Sequence, residues 1–369
     1  MADIYRQSVR RGNVQPARRR GNRFSLLVLL DVLVVLLTLL LAFATTVAIV
    51  ARYVSPERMQ GLSVVTLAAP IIYLLDLTVM FYWVVRRRVA PMVAAFVVVA
   101  VATGYLSLYY KIDLARDYES KYIERNFVRV LSYNTFGGRK DGLADYILRR
   151  NADVVCLQEA SRDDANFKAL LERYSATPAT DLNCSSVILS RHRILRSGAI
   201  DSLPNSKSLW ADVKIGNRVV RVFNLHLHST AINPKDTEFI ESHSYISDTA
   251  RSSKISSIIN RLVENNCRRA VEAESVHRAI DESRTEVVVC GDFNDVPLSY
   301  TYHTILGDEL CDTFDAETDG YAYTFDRYFK LLRIDYVLHS PSIETISYEV
   351  DYEASYSDHF PVFVRLKLK

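Results

Sequence analysis

Three long apolar runs open the chain: Phe24–Val50 is 27 residues, Leu62–Val85 is 24 and Val89–Tyr109 is 21. As a helix, each is long enough to cross the roughly 30 Å hydrocarbon core of a bilayer. The first is too long for a signal peptide and lacks the small-residue cleavage pattern, so it reads as retained. Pro70 and Pro91 are kink or start positions that membrane helices tolerate. From Asn126 the pattern changes. Phe127–Tyr133 alternates and is rich in β-formers, and Asp141–Arg150 carries Leu143, Tyr146, Ile147 and Leu148 at helical spacing. Asp153–Gln158, Ser186–Leu189, Leu209–Ile215 and Arg218–Leu227 read as strands, with Gly216-Asn217 as a hairpin turn. Asp248–Ala279 is mostly helical, and Glu286–Cys290, Arg333–Leu338, Ile343–Val350 and Pro361–Leu368 complete the strands. The pattern predicts an α/β fold of two packed β-sheets flanked by helices, preceded by three transmembrane helices.

Charge divides the chain at the same place. Residues 1–110 hold twelve Arg, no Lys and four acids (Asp3, Asp31, Glu57, Asp76), a balance of +8. The whole chain carries +2, which leaves −6 for residues 111–369. A mildly acidic soluble part lacks the overall basic footprint of a strong nucleic-acid binder, although a local patch stays open. The divisions expected are a basic cytoplasmic arm over 1–23, a three-helix anchor over 24–110, a linker over 111–125 and a soluble domain over 126–369. The arm and the triplet Arg86-Arg87-Arg88 are the basic flanks, while the link after the first span has only Arg52 and Arg58 beside Glu57. The positive-inside rule then puts the amino terminus in the cytoplasm and everything after Tyr110 on the opposite face, periplasmic in a bacterium. Asp31 is expected near the headgroups, and Asp76 is expected to face another helix or to snorkel. The five cysteines form no CxxC pair, and Cys156 and Cys290 lie in apolar runs as small hydrophobes. A disulfide framework is not expected at this density, and one bridge stays open.

The chemistry sits at the ends of the strand-like runs. These are Ser132-Tyr133-Asn134, Leu157-Gln158-Glu159, Asn224-Leu225-His226-Leu227, Cys290-Gly291-Asp292-Phe293-Asn294, Arg333-Ile334-Asp335-Tyr336 and Ser357-Asp358-His359. Residues so far apart meet only if the fold gathers strand ends at one rim. Carboxylates, amides and histidines gathered there suit metal-assisted phosphoester hydrolysis. Asn134, Glu159 and Asp358 form an oxygen-rich set for Mg²⁺, with Mn²⁺ as a substitute. Zinc is disfavoured because no Cys/His spacing supports a tight site. Asp292 can orient or deprotonate the attacking water, and Asn294 can donate to a phosphoryl oxygen. His226 and His359 can stabilise developing charge, with Asp335 holding His359 in its tautomer. His228, two residues on, is expected on the same strand face as His226. His192, His243, His277, His303 and His339 read as surface residues.

With these motifs in this order, residues 126–369 resemble the endonuclease/exonuclease/phosphatase family. The resemblance implies a four-layer α/β sandwich and a Mg²⁺ held chiefly by Glu159, with Asn134 and Asp358 nearby. It further implies Asp292 as the nucleophile-activating acid, Asn294 as the phosphate-orienting amide, and His226 and His359 facing the scissile phosphate with His359 paired to Asp335. The three-span amino terminus resembles membrane-tethered bacterial members. The segment Ser229–Arg284 reads as an insertion, and loops that intercalate DNA are not recognisable. The expected function is a membrane-anchored nuclease or phosphodiesterase outside the cytoplasm. Its partners are a lipid bilayer and a phosphoester substrate: a nucleic acid, a lipid headgroup or a small molecule. The rivals are a lipid-headgroup phosphodiesterase or phosphatase, a non-catalytic module on the same fold, and a transporter, which two acids within the spans make poorly polar.

Overall fold

The computed structural model describes residues 26–111, 127–178, 185–200, 207–230, 236, 238–239, 248–314, 320–327 and 330–368. The basic arm, nearly all of the expected linker, His243 and Cys184 lie outside them. Helices α1 (Leu26–Ala51), α2 (Leu62–Leu67), α3 (Ala69–Arg86) and α4 (Val89–Leu106) form the amino-terminal bundle. Three of them, α1, α3 and α4, are long and apolar enough to cross a membrane. The run Leu62–Val85 is therefore two helices rather than one. It divides at Ala68, and Pro70 falls in the first turn of α3, where its missing N–H costs nothing. The two acids within these helices are both satisfied. Asp31 accepts from Arg86 Nε and Nη2 at 2.8 Å each and from Tyr82 Oη at 2.7 Å. Asp76 faces α1 and accepts from Thr45 Oγ1 at 2.6 Å.

Beyond α4 come β1 (Tyr110–Lys111), β2 (Val128–Asn134), α5 (Leu143–Arg150), β3 (Val154–Gln158) and α6 (Ala165–Leu170). They are followed by β4 (Ser175–Ala176), β5 (Val187–Ser190), β6 (Arg193–Ala199), β7 (Leu209–Ile215), β8 (Arg218–His226) and α7 (Asp248–Asp281). The chain ends with β9 (Glu286–Asp292), α8 (Tyr300–Leu306), β10 (Cys311–Asp312), β11 (Gly320–Tyr321), β12 (Asp335–His339), β13 (Ile343–Val350) and β14 (Val362–Leu368). Two six-stranded sheets result, in the orders β10-β12-β9-β8-β7-β6 and β13-β14-β2-β3-β5-β4. Within each, one central pair is parallel, β8 with β9 and β2 with β3.

The strand period of two fills three apolar layers. Val130, Cys156, Val222, Val288, Cys290 and Val362 point between the sheets. From the alternate positions, Leu131 and Leu157 pack under Leu143, Ile147 and Phe167 of α5 and α6. On the far side Phe223 and Val289 pack under Ala273, Val276 and Ile305 of α7 and α8. The expected sandwich of two sheets with helices outside is therefore observed. Cys156 and Cys290 are buried in its centre, and the four described cysteines are all free.

The bundle docks on this domain. Ala48, Tyr109, Val296 and Leu298 share one apolar cluster with Val65, Leu67 and Ala69. β1 pairs antiparallel with β11, matching Tyr110 to Tyr321. Polar ties reinforce the contact. Arg333 Nη2 donates to Leu108 O at 3.2 Å, Asn266 Nδ2 donates to Ser63 Oγ at 2.7 Å, and Arg52 meets His303 Nδ1 at 3.1 Å. His303 thus joins the bundle to the domain rather than facing water. His339 is also buried, bonded to Thr345 Oγ1 at 2.7 Å.

Candidate active site

The parallel pairs bring strand ends to one rim. Asn134 is level with Gln158 at the end of β2–β3, and His226 with Asp292 at the end of β8–β9. β12 runs antiparallel to β9, so its first residue, Asp335, lies beside Asp292. The segment before β14 brings His359 to the same place through a bridge with Phe325. Glu159, His226, Asp292, Asn294, Asp358 and His359 line one cavity of about 440 Å³.

Two polar residues inside otherwise apolar strands fasten the sheets just beneath this rim. Gln158 Nε2 donates to Asn224 Oδ1 at 2.6 Å, and Asn224 Nδ2 donates to the carbonyls of Leu157 and Val187 at 2.9 Å each. Each lies next to or near a site residue, Glu159 or His226. Buried amides of this kind are tolerated only when paired, and once paired they fix the relative position of the sheets. Gly291 brings β9 close to β8. At φ +139° a Cβ there would lie 2.0 Å from Leu225 O, so only glycine fits. Glu159 and Asn294 both sit at φ +52°. Asn tolerates this left-handed conformation, whereas for Glu it is a strained position of the kind found at functional sites.

Asp292 is the hub. Asn134 Nδ2 donates to its Oδ2 at 3.0 Å, Asn294 N to its Oδ1 at 2.8 Å, and Asn294 Nδ2 to its Oδ2 at 3.1 Å. The second hydrogen of the Asn294 amide goes to Leu227 O at 3.1 Å. Both amide hydrogens of Asn294 therefore hold Asp292 and the neighbouring loop rather than pointing at a phosphoryl oxygen. Burial raises the Asp292 carboxyl above the usual range, an effect that His359 opposes and Asp335 reinforces.

The two histidines differ in charge. Burial pulls His226 down to about 4, against the pull of Asp292, so its ring is neutral at pH 7. Among the described residues its Nδ1 is buried with no hydrogen-bond partner, and its Nε2 is 3.6 Å from Glu159 Oε1. His359 feels the same burial, but Asp335 and Asp292 outweigh it and lift the ring to about 10. Its Nδ1 is 3.0 Å from Asp335 Oδ2, and its Nε2 is 3.8 Å from Asp292 Oδ2. The pair is thus one imidazole and one imidazolium.

Thr324 was not visible in the sequence. Its buried Oγ1 accepts from the backbone N–H of both Ile334 and Asp335 at 3.0 Å, and its carbonyl accepts from Phe360 N. That one residue fixes Asp335 and the loop carrying His359. His228 is not on the strand face of His226, because β8 ends at His226. Its ring lies 3.2 Å from Arg268 Nη1 and its N–H donates to Glu272.

The donor set fits a hard divalent cation. Glu159 offers a carboxylate about 35% exposed to the cavity, and Asp358 lines the same space. Asn134 Oδ1 takes one bond from Phe136 N, which leaves a lone pair. Asp292, Asp335 and His359 form a second, buried group whose donor atoms lie within 4.8 Å of one another. Oxygen donors of this kind select magnesium-like ions over soft metals.

The family model described as Endonuclease/Exonuclease/phosphatase family matches residues 131–359. The chain belongs to this family, whose members hydrolyse phosphoester bonds and are generally divalent-metal dependent. A second family model, Domain of unknown function (DUF8431), matches residues 31–109. No curated protein matches the chain. Among solved structures, it is similar to an endonuclease/exonuclease/phosphatase from Bacteroides vulgatus (19% identity, 66% of this chain and 100% of that one, TM-score 0.44). It is also similar to a mannosyl-6-phosphatase from Bacteroides thetaiotaomicron (19% identity, 65% and 99%, TM-score 0.43). A third is the human Nocturnin catalytic domain (16% identity, 67% and 96%, TM-score 0.45).

Proposed function

We propose that this protein is a membrane-anchored, Mg²⁺-dependent phosphoester hydrolase whose active site lies on the extracytoplasmic side. The convergence of Glu159, His226, Asp292 and His359 on one cavity, with Asn134 bonded to Asp292 and Asp335 to His359 behind them, carries the reading. Glu159, Asn134 and Asp358 would hold the metal, which when bound neutralises charge on a phosphoryl oxygen. Asp292 takes the proton of the attacking water, its carboxylate held in place by Asn134 and Asn294. The His359 imidazolium faces the phosphoryl group and offsets the charge that grows there, and neutral His226 can donate a hydrogen bond to it. The hydroxyl of water ends on phosphorus, the ester P–O bond breaks, the leaving oxygen takes a proton from solvent and departs as an alcohol, and Asp292 returns its proton to solvent.

The arm 1–23, the anchor 24–110, the linker 111–125 and the catalytic domain 126–369 are the divisions of this proposal. Sidedness rests on the basic residues. Arg86 and Arg88 meet Asp31 near the start of α1, while Ala48, Tyr109 and Leu298 join at the other end of the bundle. The arginines and the catalytic domain thus lie at opposite ends, which supports a cytoplasmic amino terminus. The test is hydrolysis by the full chain in nanodiscs, offered DNA, RNA, bis-p-nitrophenyl phosphate and phospholipid. Activity restored by Mg²⁺ after EDTA, and lost in Glu159→Gln, supports the proposal. Activity indifferent to EDTA refutes the metal.

A further inference from the structure

The cavity that holds the catalytic groups is not walled by the catalytic domain alone. Leu67, Pro70 and Ile71, from α2 and the first turn of α3, form one side of it. Ile258 and Leu262 of α7 form another, and Leu331, Leu332 and Ile334 close the third. A soluble substrate gives no reason to bring the start of a membrane-crossing helix to the lip of the site. α7 holds its place there through Asn266, bonded to Ser63 of α2. Its apolar stripe continues outward from Leu262 and Ile258 to Ile259 and Ile255, which are exposed. These four recur at helical spacing, so one apolar face of the helix runs from the catalytic cavity out to exposed positions.

The charges agree. Among the described residues lining the cavity there is no lysine or arginine. Lys207 acts on His226 through its charge but does not line the cavity. A nucleic acid would bring further phosphates into contact with leucine and isoleucine, with no lysine or arginine among the described lining residues to neutralise them. A sugar phosphate would leave its hydroxyls unpaired against the same wall. An alkyl chain needs no partner and gains by leaving water.

We infer that the substrate is a phosphoester bearing a long alkyl chain, its phosphate at Glu159, Asp292 and His359 and its chain along the wall made by α2–α3 and α7. The inference rests on the proposed hydrolase reading and names the substrate class of that same site. The chain enters either from the bilayer or from a free amphiphile.

The experiment uses the full chain in nanodiscs with Mg²⁺ and two homologous series, both below their micelle concentrations. One is alkyl p-nitrophenyl phosphodiesters and the other alkyl phosphates, each from methyl to octyl. On the inference, kcat/KM in one series rises by about threefold per methylene, as burial of each CH₂ allows. Ile258→Gln and Leu262→Gln flatten that slope. Hydrolysis with no dependence on chain length overturns the inference and leaves the hydrolase reading standing. No hydrolysis of any member, methyl included, overturns both. A phospholipid in the nanodisc bilayer is the second arm. Its turnover assigns the bilayer as source, and a steep slope without it assigns a free amphiphile. The slope of the unaltered protein decides the matter even if a variant fails to fold.

Discussion

Gly291→Ala is the sharpest structural perturbation available at this site. A methyl group there would lie 2.0 Å from Leu225 O, 2.7 Å from Leu225 N and 2.8 Å from Leu225 C. All three are backbone atoms of the neighbouring parallel strand, so no side chain can swing away to make room. Relief requires β8 and β9 to part by about 1 Å where Gly291 is level with Leu225, one step before His226 and Asp292. The overpacking costs about 1–3 kcal/mol and the left-handed backbone about as much again. The sum of about 2–6 kcal/mol is a large part of the 5–15 kcal/mol that holds a typical domain together. Catalysis should fall further than stability, because a displacement of this size costs about a hundredfold in rate. The assay is denaturant unfolding followed by circular dichroism, together with hydrolysis of bis-p-nitrophenyl phosphate. Gly216→Ala is the control: it is also left-handed, at φ +58°, but has open space around it, and should cost about 1 kcal/mol. If Gly291→Ala is as stable and as active as Gly216→Ala, the close approach of the strands does not position the site.

Asp335→Asn removes the largest influence raising His359. The alkaline limb of activity, set near pH 10 by loss of the imidazolium, should move down by about 1–3 pH units, read from a kcat/KM–pH profile. The same charge pair also stabilises the fold. That contribution is full below pH 6.5 and is lost as pH rises through about 10, so the variant should lack the alkaline decline in melting temperature. His226 has the opposite sign, since its affinity for protons is lower in the folded state. Stability tied to it is present above pH 6.5 and is lost as pH falls toward about 4, by about 3 kcal/mol. Melting in EDTA, with His226→Phe lacking that acid-limb loss, checks it. Arg333→Met strands the buried Asp312 carboxylate, 2.8 Å from the guanidinium, and frees Leu108 O, so it should destabilise the domain by about 3–5 kcal/mol in denaturant titration.

Much of the site was legible because each chemical residue stands where an apolar strand stops. Asn134, Glu159, His226 and Asp292 end such runs, and a fold of two sheets with central parallel pairs must bring those ends to one rim. The protonation states were not legible. Nothing in the two short histidine motifs says that burial outweighs the carboxylates near one ring while two carboxylates outweigh it at the other. The role of Asn294 also needed geometry, because the amide could donate equally well to a phosphate or back to Asp292. Thr324 lies in no motif; only the loop conformation turns its hydroxyl toward two backbone donors. β6 escaped notice because Arg193–Ala199 is an edge strand with most of its surface in water, so its pattern carries little apolar signal. The break between α2 and α3 was hidden for the opposite reason: the sequence stays apolar through it, and only Pro70 marks where the helix must restart.

The most direct test of the account is the rate of phosphoester hydrolysis by the full chain carrying Asp292→Asn, measured at saturating Mg²⁺ beside the unaltered protein. Asn keeps the shape of the hub and removes its capacity to take a proton. The account predicts a loss of about a thousandfold in kcat, within the range for a general base, with unchanged melting temperature or a modest rise. A rate within tenfold of the unaltered protein would contradict the assignment of Asp292 as the group that activates water.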